Sequence, residues 1–206
     1  MHKVFISYHH TNEGGIKEKL LRINREHNIF IDCSVSTGDI DENLEPQAIR
    51  QTIRRKYLSG STVILLLVGR ETKYRKHVDW ELYSSMYNGT NFGRSGVVVL
   101  NAPDCESDYF TAPSDEMKRI IYPHISNWKS IDSRGEYEKR YPHLPPRIID
   151  NLLKKGSKVS VSNWSNVVEN PERLRLLIDY AHNARSNCEY DMRRQMRMKD
   201  YYPSAF

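Results

Sequence analysis

At 206 residues, 38% hydrophobic and 28% charged, the chain is long enough for one ordinary domain with its own core and too short for two full ones. A net charge of +5 admits nucleic acid or a phosphate-bearing small ligand, but the basic residues are spread out apart from Arg54-Arg55-Lys56 and the run from Arg193 to Lys199, which reads as a solvated terminus. The longest apolar run, Val63 to Val68, is far short of a membrane span, and Cys33, Cys105 and Cys188 form no CxxC and cannot all pair, which excludes a zinc cluster of that type and a disulfide framework and points to a reducing cytoplasm.

Met1 to Tyr8 carries no signal peptide and passes straight into a strand, Lys3 to Tyr8, that ends in polar His9, His10, Thr11 and Asn12. Ile16, Leu20, Leu21 and Ile23 recur at helical spacing. Ile29 to Cys33 is a second strand and runs into a polar loop, Ser34 to Asn43, with Gly38 and three acids. Pro46 suits the first turn of a helix carrying Ile49, Ile53 and Tyr57, closed by Ser59-Gly60-Ser61. Thr62 to Val68 is a continuous apolar run, as expected of a strand covered on both faces. A helix containing Glu81 follows and ends near Asn88-Gly89, before a fourth strand at Gly96 to Leu100. Strand and helix in strict alternation predict a parallel sheet with helices on both faces.

Beyond Asn101 the pattern weakens. The expected elements are a short helix at Asp115 to Ile121, an edge strand at His124 to Trp128, a helix over Arg147 to Lys154, and a helix from Pro171 to about Arg185 capped by Asn170. The chain reads as one domain, 1–206: a core over about 3–130, a helical extension over about 131–190, and a tail over 191–206.

Glu81 is the main candidate for chemistry. In open α/β sheets, sites form at the loops and helix starts beyond the strand ends. Val78, Leu82 and Met86 make one apolar stripe, and Glu81 lies roughly 100° from its centre, at the border between core and cleft. From pattern alone the same Glu is equally an ordinary residue at a helix start, favoured by the helix dipole. Trp80 points away from the stripe and reads as a surface or interface aromatic, and Asp79 as a dipole-favoured acid. Asp32 either binds a hydroxyl or starts a turn. Arg54 and Arg55 read as a solvated helix face. His9-His10 is a weak metal signal, because neighbours on an extended segment point apart. No GxGxxG, Walker or GxSxG sequence occurs, and Cys33 has no activating partner in sequence.

The segments KVFISYHH, IFIDC with its acidic Gly-containing loop, IRQTIRRKYLSGSTVILLLVG and HVDWEL, in that order, resemble a TIR domain. More closely they resemble the bacterial TIR-like group of Thoeris antiphage defence, over about Lys3 to Leu100. The resemblance implies a flavodoxin-like sheet and cleavage of NAD at the nicotinamide–ribose bond. The ADP-ribose is then cyclised into a signal molecule that activates a separate effector protein. It maps the catalytic glutamate onto Glu81 and the variable loop after the second strand onto Ser34 to Asn43. It also makes Ser7, Tyr8, His9, His10, Asp32, Thr37, Gly38, His77 and Trp80 the substrate-binding set, with NAD as substrate and neither a metal nor a further cofactor. His77-Val78 stands where many TIR enzymes have Trp-Cys, and Ser36-Thr37-Gly38 where many animal TIR loops have Arg-Pro-Gly. A single carboxylate suffices for this reaction: nicotinamide is cationic in NAD and departs neutral, so no general acid is needed, unlike in most glycosidases. Further expected partners are a phage component and a second copy of the chain. The rival readings are a non-catalytic TIR-like adaptor and, lower, a nucleic-acid module using Arg193 to Lys199.

Overall fold

The computed structural model describes residues 1–34, 43–90 and 92–201. Thr37, Gly38 and most of the Ser34–Asn43 loop lie outside the described residues. Five strands, β1 (Lys3–Ser7), β2 (Ile31–Asp32), β3 (Val63–Val68), β4 (Gly96–Asn101) and β5 (Ser160–Asn163), form one parallel sheet in the order β2-β1-β3-β4-β5. The helices, in chain order, are α1 (His10–His27), α2 (Pro46–Lys56), α3 (Lys76–Met86), α4 (Asp115–Ile121), α5 (Arg134–Arg140), α6 (Pro146–Leu153), α7 (Trp164–Glu169) and α8 (Pro171–Ala184). This is the doubly wound, flavodoxin-like α/β arrangement that the alternating pattern predicts.

Two apolar cores flank the sheet, and β3 sorts its residues between them with period two. Ile64, Leu66 and Val68 face α2, α3, α5 and α6, whereas Val63, Leu65 and Leu67 face α1, α4, α7 and α8. All six β3 residues are buried, as the unbroken apolar run requires. The α4 bounds match the sequence reading, with Ser114 accepting from the Met117 amide. For α8, the Asn170 side chain accepts from the Glu172 amide and Pro171 opens the first turn.

His124 to Trp128 contains no strand. The sheet edge beyond β4 belongs instead to β5, a polar segment in which Ser162 and Asn163 find side-chain partners. The Tyr122 hydroxyl donates to Ser162 Oγ at 3.1 Å, and Asn101 Nδ2 donates to Asn163 Oδ1 at 3.0 Å. The second strand is also shorter than the IFIDC run: only Ile31 and Asp32 pair, and both are exposed. Arg54 does not lie on a solvated face. It is 7% exposed and donates to Ser95 Oγ at 3.2 Å, while Arg55 is exposed as expected.

Helix α8 lies directly on β4. A Cβ added at Gly96 would stand 2.2 Å from the Ala181 carbonyl oxygen and 2.4 Å from its carbon, which are backbone atoms that cannot swing aside. Gly96→Ala is therefore expected to lower stability by about 2 kcal/mol or more, beyond the usual cost of overpacking a side chain. Urea unfolding checks this, and an unchanged midpoint would contradict the close approach.

Candidate functional site

Strand order places the switch point of the fold between β1 and β3. After β1 the chain moves outward to β2, then crosses back to β3 and continues to β4 and β5 on the other side. Connections diverge there, and in open α/β sheets that is where ligand crevices lie, beyond the carboxyl ends of the strands. Ser7 is the last residue of β1 and pairs with Leu66 of β3. The chain leaving β3 passes through a short turn, Thr72–Tyr74, into α3, which carries Glu81 in its second turn rather than its first. Ser7 Oγ donates to Glu81 Oε2 at 2.6 Å, a charge-assisted distance. Residues 74 apart in sequence thus meet at the switch point.

Glu81 is 4% exposed. Burial pushes its carboxyl up to about 7, and the Ser7 hydrogen bond opposes that rise only in part. A group poised there is ionised in a large fraction of molecules at neutral pH, and a nearby cation drives it fully to the carboxylate. Val78, Leu82 and Met86 form the predicted apolar stripe, but α3 is buried far beyond it, with Asp79, Trp80, Ser84 and Ser85 also inside.

A second buried carboxylate, Glu13, was not legible as a candidate. It sits in the first turn of α1, accepts from the His9 amide at 2.7 Å and from the Thr72 hydroxyl, and is likewise pushed up to about 7 by burial. A Cβ on Gly69 would stand 2.0 Å from Glu13 Oε1, so glycine is needed where β3 ends. The Glu13 carboxylate ties the His9 and Gly69–Thr72 turns together, and these are the two turns that lead from β1 and β3 into the crevice.

Both carboxyls titrate near 7 in the folded chain and near 4.5 in their ordinary environment. Between those values each carboxyl binds more protons in the folded state than in the unfolded one, so its contribution to stability is fully present below pH 4.5, declines as pH rises, and is lost above 7. For Glu81 the full span is on the order of 3 kcal/mol. Between pH 5 and 8 the unfolding free energy of wild type is expected to fall relative to that of Glu81→Gln, by up to that amount. Urea titrations at a series of pH values read this directly, and identical slopes for the two proteins would contradict it.

The other sequence candidates sort by position. His9 is the N-cap residue of α1, with its imidazole pKa lowered by burial first and by Arg75 second; its Nδ1 is buried without a hydrogen-bond partner. Tyr8 stacks on exposed His10 with centroids 4.4 Å apart, and Lys17 Nζ lies 5.0 Å from the Tyr8 centroid. Burial, then Lys17 and His77, lower the His10 pKa. Asp32 is exposed and accepts from the Ser34 amide at 2.8 Å, so it starts a turn.

Trp80 is not at the surface. It is 0% exposed, lies edge-on to His77 and donates from Nε1 to the Arg197 carbonyl at 2.5 Å. The tail that covers it is not a free solvated terminus either. Asp200 Oδ1 accepts from the Lys76 amide at 2.7 Å and so satisfies the first turn of α3, where no cap comes from Arg75. Asp79, which sequence reasoning left to the helix dipole, takes a bidentate pair from buried Arg147 of α6. These contacts hold α3, and with it Glu81, from the side away from the sheet.

A parallel, flavodoxin-like α/β sheet with an acid-bearing helix leaving its switch point is consistent with a TIR-like fold. Residues 5–107 match the family model described as Thoeris protein ThsB, TIR-like domain, which is half of the chain, and the chain belongs to that family. Membership gives it a TIR-like signalling role in Thoeris antiphage defence. No curated protein matches the chain. Among the described residues, no helix is long and apolar enough to cross a membrane, and no group of three or more His, Cys, Asp or Glu side chains is arranged to hold a metal ion.

Proposed function

We propose that this protein cleaves NAD at the nicotinamide–ribose bond and cyclises the ADP-ribose into a signal molecule for a separate effector. One observation carries the reading: a carboxylate buried at the switch point, hydrogen-bonded to the end of β1 and poised near neutrality. The bond from C1 of the ribose breaks with its electron pair leaving on the nicotinamide nitrogen, which becomes neutral. Positive charge passes to the ribose ring, and Glu81 faces it as a carboxylate in a site of low dielectric. Ser7 holds that carboxylate in one rotamer. A hydroxyl of the same molecule then attacks C1 and gives up its proton, which a carboxylate titrating near 7 is suited to take. Tyr8, His9 and His10 edge the crevice and contact the ribose and diphosphate.

NAD entering with a cationic nicotinamide stabilises ionised Glu81, so binding and activation of the base are one event. Incubation of the purified protein with NAD, with nicotinamide and cyclic product read by mass spectrometry for wild type and Glu81→Gln, tests the reading. Protein from phage-infected cells is included, because an enzyme that diverts NAD is held off in healthy ones. Nicotinamide release by wild type alone supports it. A Glu81→Gln protein that still activates the effector in infected cells would instead favour the adaptor.

A further inference from the structure

Along the groove between α2 and α3 runs a cleft of about 570 Å3, and its walls include Arg50, Arg54, Arg55, Ser84, Tyr87 and Asn88. Among the described residues, no aspartate or glutamate lines it. A neighbouring cleft of about 520 Å3 shares Gln47, Arg50 and Tyr87 with the first and adds Tyr83, Met196 and Met198, again with no acid among the described residues. Together they form a groove that is cationic at one end and aromatic and thioether-lined at the other. The arginine end lies towards the amino edge of the sheet, where α2 finishes and the chain enters β4. Ser7 and Glu81 belong to the carboxyl edge.

The arginines are held in unusual circumstances. Arg54 is more than nine-tenths buried, and its guanidinium has only neutral partners, Ser95 Oγ and the Gly93 carbonyl. Its Nε is buried with no partner, and no carboxylate pairs with it among the described residues. Burial disfavours its charged form with nothing to offset that. Ser84 Oγ, on the wall of the same cleft, is also buried without a partner. The Arg50 guanidinium lies 3.9 Å from the Tyr87 ring centroid, which fixes its plane. A fold that, among the described residues, buries a cation with no counter-charge and a hydroxyl with no partner beside two more arginines leaves its charge to be neutralised by something that arrives.

We propose that this groove is a second ligand site, for a phosphate-bearing small molecule of the nucleotide class. Planar guanidinium groups match phosphate oxygens in pairs, so the phosphates sit among Arg50, Arg54 and Arg55, with the Ser84 hydroxyl as a further donor. A flat base then rests against Tyr83 and the two methionines, whose side chains adapt to its shape. The volumes fall in the range of small-molecule sites. Met196 and Met198 come from the tail that braces α3, so an occupant touches both that brace and the helix carrying Glu81.

Isothermal titration of the full chain with ADP and with inorganic pyrophosphate tests this. ADP is expected to bind with Kd below about 1 mM. Arg50→Gln and Arg55→Gln each weaken both ligands about fivefold or more, as loss of a charge-assisted contact requires. Tyr83→Ala weakens ADP and leaves pyrophosphate unchanged. Arg55 is exposed and Arg50 half-buried, and neither lies in the core, so these variants fold, which circular dichroism confirms. Three results overturn the proposal. One is no binding of either ligand. Another is ADP binding that both arginine variants retain, which places it elsewhere. The last is a single-stranded oligonucleotide that binds more tightly than ADP and loses affinity in the same variants, which makes the groove a nucleic-acid surface.

Discussion

Glu81→Gln is expected to lower nicotinamide release by about 10²–10³-fold or more while making the protein more stable at neutral pH. On the proposed chemistry the carboxylate is the group facing the developing ribose cation, and a neutral amide of the same shape removes that stabilisation in the transition state. The folded state, in contrast, gains from the change. Burial makes the ionised form costly, as its rise to about 7 records, and glutamine carries no charge to bury. The Ser7 hydroxyl still finds an oxygen to donate to. Activity and stability therefore move in opposite directions, which a merely structural glutamate would not produce. For the wild type, kcat/KM for NAD should rise with pH and level off above about 7, as the free enzyme's carboxyl loses its proton. The Glu81 contribution to stability falls over the same interval. Nicotinamide release measured from pH 5 to 8, beside urea unfolding in the same buffers, reads both. A Glu81→Gln protein with full activity would remove Glu81 from the chemistry.

The parts of this fold that speak in sequence are those set by local pattern. The β3 run, the period-two sorting of its residues, the α4 bounds and the Asn170-Pro171 start of α8 depend on neighbours a few residues away, so each could be read before any contact was known. The Glu81 helix and the end of β1 could be placed at one edge of the sheet because alternation fixes strand direction. Their hydrogen bond could not, because it depends on which two strands are adjacent.

What stayed hidden was settled by distant partners. Strand β5 gives no strand signal in sequence because Ser160, Ser162 and Asn163 are polar; Tyr122 and Asn101 bond the Ser162 and Asn163 side chains only in the fold. Arg54 looked solvated because its partners, Ser95 and Gly93, come from the far end of α3's loop. A single apolar stripe assumes that a helix meets one surface. Helix α3 meets the sheet, α6 and the tail together, so Asp79 and Trp80 are buried on faces that the stripe assigns to water. The acidic loop that resemblance links to the substrate lies mostly outside the described residues.

Asp79→Ala should destabilise the protein by about 3–5 kcal/mol, whereas joint replacement of Asp79 and Arg147 by apolar residues of matching volume should cost far less. Arg147 is 0% exposed. Its Nε and Nη2 donate to the two Asp79 oxygens at 2.8 and 2.9 Å, and Nη1 and Nη2 donate to the Arg194 and Gln195 carbonyls at 3.0 Å each. Asp79 Oδ2 also accepts from the Arg197 amide at 2.8 Å. Removing the carboxylate leaves a guanidinium in the core with no counter-charge and strips the tail of its anchor. The desolvation of that charge is then uncompensated, which is why losing one partner costs more than losing both. Loss of the anchor has a spatial signature: the Arg197 and Lys76 amides lose protection from hydrogen exchange, and Trp80 emission shifts to the red as water reaches the indole. Since the tail braces α3 against the crevice, nicotinamide release on the proposed chemistry falls with it even where the protein remains folded. An Asp79→Ala protein within about 1 kcal/mol of wild type, with tail amides still protected, would mean that the tail is held by its side chains and not by this ion pair.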